Sequence, residues 1–437
     1  MAVKKRLKPR AGRRACIVSG LRTPFVKSNG VFKDLTGLDL ASQVVTELIS
    51  RSNLDRDEVD QVIYGQVVAA VEAPNIAREI VLATALPRSV DAYSVSRACA
   101  TGTQALVSAA MSIESGDTDV AICGGVESLS KPPITLSDRF IKIIMEANGA
   151  KDGMSKAKAF SKLKLKDLVP KPPAIAEFST GLTMGQSAEV MAKANSVTRE
   201  SQDYLAEASH KNAHKAWEAG VYDAEVMEVL VGKGFQESVK RDNLLRPDTT
   251  FEKLSKLRPV FDRKYGTITA GNSSALTDGA SALLVMSEAK AKALGYEPLA
   301  FVKSWGFAAL DPGWQLLMGP SFASPVALDR AGMELADIDL VDMHEAFAAQ
   351  MVSNMDAFAS DEFAKEHLGR GKAIGAIAPE KLNVLGGSLA LGHPFAATGG
   401  RQALSMAHEL RRRGSGTALI TQCAAGGIGA AIILERD

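Results

Sequence analysis

The chain shows little of what would mark a nucleic-acid-binding or membrane-spanning protein. Its 51 lysines and arginines balance 50 acidic residues, so the net charge of about +1 creates no global attraction to nucleic acid or lipid. No apolar run is long enough to cross a bilayer, and no signal-peptide core is found. Nucleic acid is therefore not an expected partner.

Cysteine is also scarce, with four residues in the whole chain: Cys16, Cys99, Cys123 and Cys423. Their spacing does not match a metal site, so no bound metal is predicted and the thiols indicate a reducing, cytosol-like compartment. The first fourteen residues, MAVKKRLKPRAGRR, are strongly basic but have neither the serines nor the amphipathic pattern of a transit peptide. A solvated, partly disordered tail is favoured, with targeting or phosphate contact as the alternative.

What the chain does contain is a duplicated phrase. Residues 99–106 read CATGTQAL and residues 396–404 read AATGGRQAL. Residues 51–66 also align without gaps on residues 330–345, each reading as a helix end, a turn, an acidic loop and a buried strand. In a chain of 437 residues, this repeat indicates two α/β units, either as two domains or as one pseudo-symmetric body.

Each ATG phrase begins a helical pattern that leads into a strand. The pattern ends at Gly116 in the first copy and near Gly414 in the second, and glycine is the expected stop signal. Apolar runs typical of strands follow at residues 119–125 and 417–427. The order strand, helix, strand in both copies predicts α/β layers whose short strands are buried on both faces.

The two halves are predicted at residues 1–299 and 300–437, and an inserted loop domain at about 127–250 lengthens the first. Its lysine-rich stretch GAKDGMSKAKAFSKLKLKDLVPKPP reads as a solvated basic helix on a lid; contact with anionic lipid or substrate phosphates is the alternative. A later helix carries His210 and His214. Because no further ligands are found, both are interpreted as surface histidines.

Cys99 lies at the start of the first repeated helix. A thiol there meets unpaired N–H groups and the positive end of the helix dipole, which favours a reactive thiolate. Gly102 and its small neighbours would let a ligand come close to the backbone. The alternative is a buried structural cysteine.

His393 lies just before the second repeated helix, in LGHPFAATGG. A pseudo-twofold arrangement would bring both helix starts to one crevice and set this base beside Cys99, the usual way to activate a thiol. Cys423 ends a strand of the same half and is predicted to handle protons, with a disulfide switch as a less favoured alternative. Its counterpart Cys123 is predicted to be structural.

His344 ends the strand that aligns with QVIYG of the first half. A histidine at the carboxyl end of a strand, opening into a loop, is well placed to donate a hydrogen bond to a developing oxyanion. The alternative is a buried histidine whose hydrogen bond is satisfied by the protein.

Taken together in this order, the motifs resemble those of the thiolase family. They extend from about residue 14 to the C-terminus: RTPF, SVSRACATG, GGVES, MGQSAE, TITAGNSSALTDGA, HEAFAAQ, GGSLALGHPFAATG and QCAAGGIG. The resemblance implies an α/β thiolase fold, with two βαβαβαββ halves in five αβαβα layers and an inserted loop domain. It also implies an acyltransferase that cleaves 3-ketoacyl-CoA with CoA in fatty-acid β-oxidation through an acyl-cysteine. CoA is then a substrate, and no cofactor is expected.

The resemblance assigns a role to each reactive residue. Cys99 matches the nucleophile, His393 the base that activates it, and Cys423 the acid and base for the second substrate. The main-chain N–H groups of Cys99 and Ala425 would hold the thioester oxyanion. Most family members have glycine in place of Ala425, a change that a backbone donor tolerates.

Ser274, Ala346 and Phe347 match positions that line the path of the CoA pantetheine. Most thiolases read NEAF where this chain reads HEAF, so His344 replaces an asparagine that positions a water in the first oxyanion hole. The HEAF form resembles β-subunits of fatty-acid-oxidation complexes. That likeness implies a homodimeric core, an α2β2 complex with a hydratase/dehydrogenase subunit, a bacterial cytoplasmic location and peripheral membrane contact through residues 131–170.

Two other functions stay open at this point. A decarboxylating ketoacyl synthase shares the fold and uses one cysteine with two histidines, a set that Cys99, His344 and His393 would satisfy. Cys423 argues against it, because a synthase that releases CO2 needs no second thiol. A non-catalytic acyl-CoA carrier is the other alternative, and it predicts binding without a reactive cysteine.

Overall fold

Strands and helices alternate along most of the chain. The computed structural model describes residues 11–170, 176–232, 234 and 236–437, so most of the basic tail, residues 1–10, lies outside the described residues. The strands are β1 Ala15–Arg22, β2 Val26–Lys27, β3 Gln61–Gly65, β4 Asp91–Ser94, β5 Val120–Glu127, β6 Val229–Val231, β7 Glu237–Val239, β8 Thr277–Ser287, β9 Ala300–Ala309, β10 Leu340–Met343, β11 Gly416–Ala424 and β12 Ile428–Arg436.

The helices are α1 Gly37–Ser52, α2 Ile76–Ala83, α3 Thr101–Ser115, α4 Asp138–Gly149, α5 Gly153–Phe160, α6 Met184–Ala194, α7 Arg199–Glu218, α8 Phe251–Ser255, α9 Glu288–Ala293, α10 Pro312–Gln315, α11 Gly319–Ala331, α12 Ala348–Ala359, α13 Asp361–Leu368, α14 Ser388–Leu391 and α15 Phe395–Arg413. None of them, in the described part of the chain, is long and apolar enough to span a membrane.

The strands of both halves hydrogen-bond into one large sheet, in the order β10-β11-β12-β9-β1-β8-β5-β3-β4. The halves are joined where β1 pairs antiparallel with β9 on one side and with β8 on the other. In each half a parallel pair lies further out: β3 is parallel to β4 and β5, and β10 is parallel to β11. A separate hairpin, β6-β7, belongs to the insertion.

Three hydrophobic cores stack the helices and strands into five layers. Helices α3 and α15 pack against each other in the middle, where Leu106 and Leu404 share one core with residues of β5, β8 and β11. Helices α1 and α2 cover the outer face of the first half through a second core. Helix α11 covers the outer face of the second half through a third. Because strands from both halves of the sheet share the core of α3 and α15, the two halves form separate layers around these helices, and the order of layers is αβαβα.

The aligned repeat has the same structure in both copies. Helix α1 is capped by Asn53 and helix α11 by Gly332; both capping residues have the left-handed conformation, with φ of 52° and 68°. A short 3₁₀ turn follows in each, Arg56–Glu58 or Leu335–Asp337, and then β3 or β10. The predicted sequence of helix end, turn and strand is confirmed.

The two ATG phrases form the starts of α3 and α15, and the predicted ends at Gly116 and Gly414 are confirmed. The prediction for Gly102 is wrong. A Cβ atom on Gly102 would lie 2.7 Å from the carbonyl oxygen of Ala396 and 2.7 Å from the nitrogen of Gly400. Gly102 therefore lets the two central helices touch through their backbones, and ligand approach is not its purpose.

The insertion differs from the single basic helix that we expected. Its lysine-rich stretch contains α5, which ends at Phe160, and then a 3₁₀ turn at Leu165–Leu168. Helix α5 packs against α4 to form a helical hairpin, hereafter the α4–α5 arm. The last prolines of the stretch fall within residues 171–175, outside the described residues. The division into residues 1–299 and 300–437 stays a prediction.

His210 is not a surface histidine, which corrects the interpretation from sequence. It is buried on α7, and its Nδ1 accepts a hydrogen bond from the main-chain N–H of Arg246 at 3.2 Å. Burial lowers the pKa of His210 to about 4, and the charge of Arg246 adds to the effect. His214, one turn along, is half-buried. Cys123 lies fully buried in the central core, as predicted for a structural thiol.

Candidate active site

The starts of the two central helices meet at a cluster of three reactive side chains. Cys99 precedes α3, His393 precedes α15, and His344 follows β10. The sulfur of Cys99 and one ring nitrogen from each histidine all lie within 4.8 Å of one another. The expected meeting of the thiol and the imidazole across the two halves is therefore present. This trio is also the one group of metal-type donors that the described residues bring together.

His393 is held by contacts on both its backbone and its ring. Its N–H donates to Oγ1 of Thr277 at 3.1 Å, and its Nδ1 lies 2.6 Å from Oγ1 of Thr398. Gly392 before it has a φ of 104°, a conformation that favours glycine. The imidazole is nearly fully buried, and its Nε2 has no hydrogen-bond partner within the described structure.

His344 is fixed in the same manner. Its N–H donates to the carbonyl oxygen of Thr421 at 2.9 Å, and its Nδ1 lies 3.0 Å from Oγ of Ser388. The ring is completely buried and its Nε2, like that of His393, has no partner in the described part of the chain. The centroids of the two imidazoles are 4.2 Å apart. The alternative, a buried histidine whose hydrogen bonds are satisfied by the protein, therefore holds for the Nδ1 atom of His344 only.

Burial keeps both imidazoles neutral. It lowers the pKa of His393 to about 3, with the charge of Arg401 acting in the same direction. Burial also lowers the pKa of His344 well below its usual value, helped by His393 and Arg401. A neutral imidazole keeps a ring nitrogen lone pair that can accept a proton, which a general base requires.

The resting thiol is neutral as well, contrary to the sequence-based expectation of a thiolate. Burial raises the pKa of Cys99 to about 12, the N–H of Ala425 opposes this by hydrogen bonding to the sulfur, and the charge of Glu127 adds to it. The main-chain N–H of Cys99 also lowers the pKa by hydrogen bonding to the sulfur, but burial has the larger effect. The thiol therefore needs a base at the moment of reaction.

The second thiol lies at the end of β11. Cys423 is almost fully buried, and burial raises its pKa well above the usual value, with Cys99 as the next cause. Two residues later, Ala425 directs its main-chain N–H at the sulfur of Cys99. Both thiols are free in the structure.

A cavity of about 290 Å³ opens onto these groups. Its walls include Cys99, His393, Cys423, Ala425, Ser274, Ala346 and Phe347, so every residue predicted from sequence except His344 lines it. His344 lies behind the wall. Ser274 donates its N–H to the carbonyl oxygen of Ala346 at 3.0 Å, which ties together two of the predicted CoA contacts.

A second cavity of about 510 Å³ adjoins the first and shares Phe261, Ser273, Ser274 and Ala275 with it. Lys27, Arg246 and Lys253 line this outer cavity together with Asp248, whose carboxylate pairs with Lys253 at 2.6 Å. Together the two cavities extend from an outer end lined by Lys27, Arg246 and Lys253 to the sulfur of Cys99.

Several residues that shape the site were missed at the sequence level. Glu127 ends β5, and its carboxylate accepts from the N–H groups of Val67 and Val68, at 3.1 and 2.9 Å. Burial raises the pKa of Glu127 to about 7 against these hydrogen bonds. Glu127 lies inside the quoted motif GGVES, so the motif was the available signal although the role was not evident.

Two further acids hold the loops on which the site is built. Glu345 accepts from Oγ of Ser209 and Nδ2 of Asn383, both at 2.6 Å, and so fixes the loop that carries His344. Glu177, in the insertion, accepts from the N–H of Gly426 at 2.7 Å, next to Ala425. No local pattern signals Glu177, because its partner is 249 residues away.

Comparison with known proteins agrees with this fold and site. The family model for the thiolase N-terminal domain matches residues 15–289, and that for the thiolase C-terminal domain matches residues 296–436. The chain is 54% identical over 429 residues to a 3-ketoacyl-CoA thiolase of Pseudoalteromonas translucida, covering 98% of each chain.

Two solved structures share the fold over nearly the whole chain. The Bacillus anthracis acetyl-CoA acetyltransferase superposes with a TM-score of 0.81 at 32% identity, covering 97% of this chain and 98% of that one. Human mitochondrial 3-ketoacyl-CoA thiolase also gives 0.81, at 31% identity and with coverage of 97% and 99%. The predicted fold is confirmed, and because both family models match in order along the chain, this protein belongs to the thiolase family.

Proposed function

We propose that this protein is a 3-ketoacyl-CoA thiolase, which uses CoA to cleave a 3-ketoacyl-CoA into acetyl-CoA and an acyl-CoA shortened by two carbons. One observation carries the proposal: a single cavity presents the thiol of Cys99, the base His393, the second thiol Cys423 and the N–H of Ala425. A thiol beside a base can act as the nucleophile of acyl transfer. A second thiol can add a proton to the C2 carbon or remove one from the incoming CoA thiol. The names of the relatives agree with this reaction.

The first half of the cycle forms an acyl-enzyme. The sulfur of Cys99 attacks the C3 carbonyl while His393 takes the thiol proton. Charge grows on the carbonyl oxygen, and N–H groups of His344 and His393 stabilise it. The C2–C3 bond then breaks, its electron pair passes to the acetyl-CoA enolate, and the S–H of Cys423 protonates C2. Acetyl-CoA leaves, and the acyl group stays on Cys99.

The second half returns the acyl group to CoA. The thiolate of Cys423 takes the proton of the incoming CoA thiol, whose sulfur attacks the acyl-Cys99 carbonyl. The N–H groups of Cys99 and Ala425 hold the oxyanion; that of Ala425 already contacts the sulfur in the resting structure. Collapse releases the shortened acyl-CoA, and the Cys99 sulfur recovers its proton from His393.

CoA is proposed to enter along the two cavities as a substrate. Ser274, Ala346 and Phe347 would contact the pantetheine arm, since they line the inner cavity beside Cys99. Its phosphates would lie in the outer cavity, where Lys27, Arg246 and Lys253 supply positive charge. No bound cofactor takes part in these steps.

The test is to mix the protein with 3-ketoacyl-CoA substrates of four to sixteen carbons and to follow acetyl-CoA by mass spectrometry. Without CoA, one acyl group should accumulate on Cys99, and adding CoA should release it. The Cys99→Ala variant should show neither event. Labelling at another cysteine, or substrate binding with no acylation, would favour the acyl-CoA carrier.

Cys423 separates the thiolase from a decarboxylating synthase. We expect Cys423→Ala to keep acylation of Cys99 by an acyl-CoA but to lose cleavage of 3-ketoacyl-CoA and exchange of the C2 hydrogens of acetyl-CoA with solvent, because no group remains to move the proton at C2. The measurement is the uptake of deuterium from D2O at C2 of acetyl-CoA, followed by mass spectrometry. Retained exchange, or turnover of malonyl thioesters by the unmodified protein, would identify a synthase.

We further propose that the protein works in the bacterial cytoplasm and touches an anionic membrane through residues 131–170. This segment exposes apolar side chains that include Met145 on α4, Met154 on α5 and Leu165 in the following 3₁₀ turn, at 69%, 84% and 87% exposure. The same segment contains eight exposed lysines: Lys131, Lys142, Lys151, Lys156, Lys158, Lys162, Lys164 and Lys166. Apolar side chains with surrounding lysines suit the interface of an anionic bilayer. The four free thiols fit a reducing compartment.

Sedimentation with vesicles tests the membrane contact. Binding to phosphatidylglycerol vesicles should exceed binding to phosphatidylcholine vesicles and should fall in the double variant Met145→Glu/Leu165→Glu. A matched pair of charges on another exposed apolar surface, Val190→Glu/Tyr204→Glu, should leave binding unchanged. If both double variants lose vesicle binding equally, residues 131–170 do not form the membrane contact.

A homodimeric core is proposed from the free edge of the sheet. Strand β4 ends the strand order, and Tyr93 on it and Met111 on α3 are exposed. Unpaired edge strands are natural surfaces for pairing with a second copy. Tyr93→Lys should therefore shift the mass in light scattering toward a monomer. An α2β2 complex with a hydratase/dehydrogenase subunit stays a prediction, which copurification from the native cell tests.

A further inference from the structure

We propose that Cys99, His344 and His393 also form a binding site for Zn²⁺ or a similarly soft divalent cation, and that the bound ion inhibits the enzyme. The sulfur and one nitrogen of each ring lie within 4.8 Å of one another. One thiolate and two imidazoles are ligand types that zinc prefers. The three come from the starts of the two central helices and the end of β10, so the fold holds them together in the absence of metal.

The free lone pairs point to the same conclusion. The Nδ1 atom of each ring is hydrogen-bonded to a hydroxyl group, that of Ser388 for His344 and that of Thr398 for His393. Both Nε2 atoms are buried without a partner in the described structure, so they are the available ligands. Zinc binding requires the tautomer in which the hydroxyl accepts from Nδ1–H and the lone pair lies on Nε2; for His344 this is the opposite of the tautomer that donates to the oxyanion. Outer partners of this kind orient the histidines of zinc sites in general.

The distances require a small adjustment. Zinc bonds of about 2.3 Å to sulfur and about 2.0 Å to nitrogen place tetrahedral ligand atoms about 3.3 to 3.6 Å apart. The cluster would have to contract by roughly 1 Å, and rotation of Cys99 about its Cα–Cβ bond offers this because the side chain borders the cavity. The cavity leaves the fourth position open to water or to the thiol of CoA.

The surrounding charges are mixed. Glu127 acts on the Cys99 sulfur and favours a cation there. The charge of Arg401 acts on both histidines and disfavours a cation between them. Its guanidinium is, however, paired with Asp342 at 3.0 Å. A zinc ion with one thiolate leaves a single positive charge, which Glu127 can balance when ionised. The ion would engage the nucleophile and the base together, so inhibition should compete with acyl-CoA.

Cobalt provides a readout that does not depend on activity or on the acyl substrate. Untagged protein titrated with Co²⁺ in the absence of CoA should bind one equivalent and show a thiolate-to-cobalt charge-transfer band, which Zn²⁺ removes. Cys99→Ser should abolish the band. His344→Asn should weaken Zn²⁺ binding at least tenfold, whereas His214→Asn, a control on a half-buried histidine of α7, should leave it unchanged.

A second measurement uses the unmodified protein, so a variant that misfolds cannot decide the outcome. One equivalent of Zn²⁺ should slow alkylation of Cys99 by iodoacetamide, and a chelator should restore both alkylation and turnover. The proposal is overturned if Co²⁺ gives no thiolate band, if zinc gives no protection, or if His344→Asn binds zinc as well as the natural protein. None of these results bears on whether the enzyme is a thiolase.

Discussion

At the scale of single residues, the site is built from groups that burial keeps neutral until substrate arrives. The pKa of Cys99 is raised to about 12 and that of His393 is lowered to about 3, so a stable thiolate–imidazolium pair is not the resting state. Proton transfer from sulfur to nitrogen then has to accompany attack on the carbonyl. Oxyanion donors matter for this reason, because they stabilise the charge that the transfer creates.

His344→Ala tests the proposed donor directly. Loss of one oxyanion donor costs about 3 kcal/mol of barrier, so kcat should fall by roughly 10²-fold while an acyl group on Cys99 remains detectable by mass spectrometry. His344→Asn, which keeps an amide donor, should lose less. If His344→Ala turns over at the rate of the natural protein, His344 has a structural role only.

At the scale of elements, the two central helices and one loop of the insertion set the position of the reactive groups. The ATG phrases let α3 and α15 approach backbone to backbone, which brings Cys99 and His393 together. Glu177 reaches from the insertion to Gly426 and braces the loop that presents the N–H of Ala425. The site thus depends on contacts between segments that are far apart in sequence.

Gly102→Ala tests the close approach of the helices. The added methyl group would meet main-chain atoms of Ala396 and Gly400 at 2.7 Å, so the helices must separate and stability should fall by about 1 to 3 kcal/mol. The measurement is the urea midpoint at pH 7. Gly149→Ala at the end of α4 is the control, since its Cβ would meet nothing within 4 Å and should cost no stability. If both variants have the same urea midpoint, the two helices can separate without loss of stability.

Glu177 offers a test of the loop brace. Glu177→Ala removes the acceptor of the Gly426 N–H, and a hydrogen bond to a charged group is worth about 1.5 kcal/mol, which corresponds to about tenfold in rate. We expect the loss in kcat rather than in KM, because the loop holds a donor for the transition state. Glu177→Gln keeps an acceptor oxygen and should stay within about twofold of the natural rate. A change confined to KM would instead assign Glu177 to substrate binding.

At the scale of the whole molecule, burial of histidines couples stability to pH. Burial lowers the pKa of His210 to about 4 and that of His393 to about 3. Below about pH 6.5 the unfolded chain binds protons on these side chains that the folded protein does not bind. The free energy of unfolding should therefore fall as the pH is lowered from about 6.5 toward 4. Glu127, whose pKa is raised to about 7, acts in the opposite direction between about pH 4.5 and 7.

His210→Asn isolates one of these contributions, because the asparagine oxygen can still accept from the N–H of Arg246. Between pH 7 and pH 5 the variant should lose about 2 kcal/mol less stability than the natural protein. Urea unfolding at the two pH values gives the difference. A His210→Asn variant that loses as much stability as the natural protein between these pH values would show that burial of His210 has no energetic consequence.

The sequence by itself determined which elements form and which chemistry they carry. Local patterns placed the ends of α3 and α15, the repeated turn before β3 and β10, and the Cys99, His393 and Cys423 side chains, because periodicity and glycine stops act within a few residues. Only the tertiary structure decided the protonation of Cys99, the packing role of Gly102, the burial of His210 and the brace from Glu177. Desolvation and close contact depend on segments tens to hundreds of residues apart, and no local pattern records them.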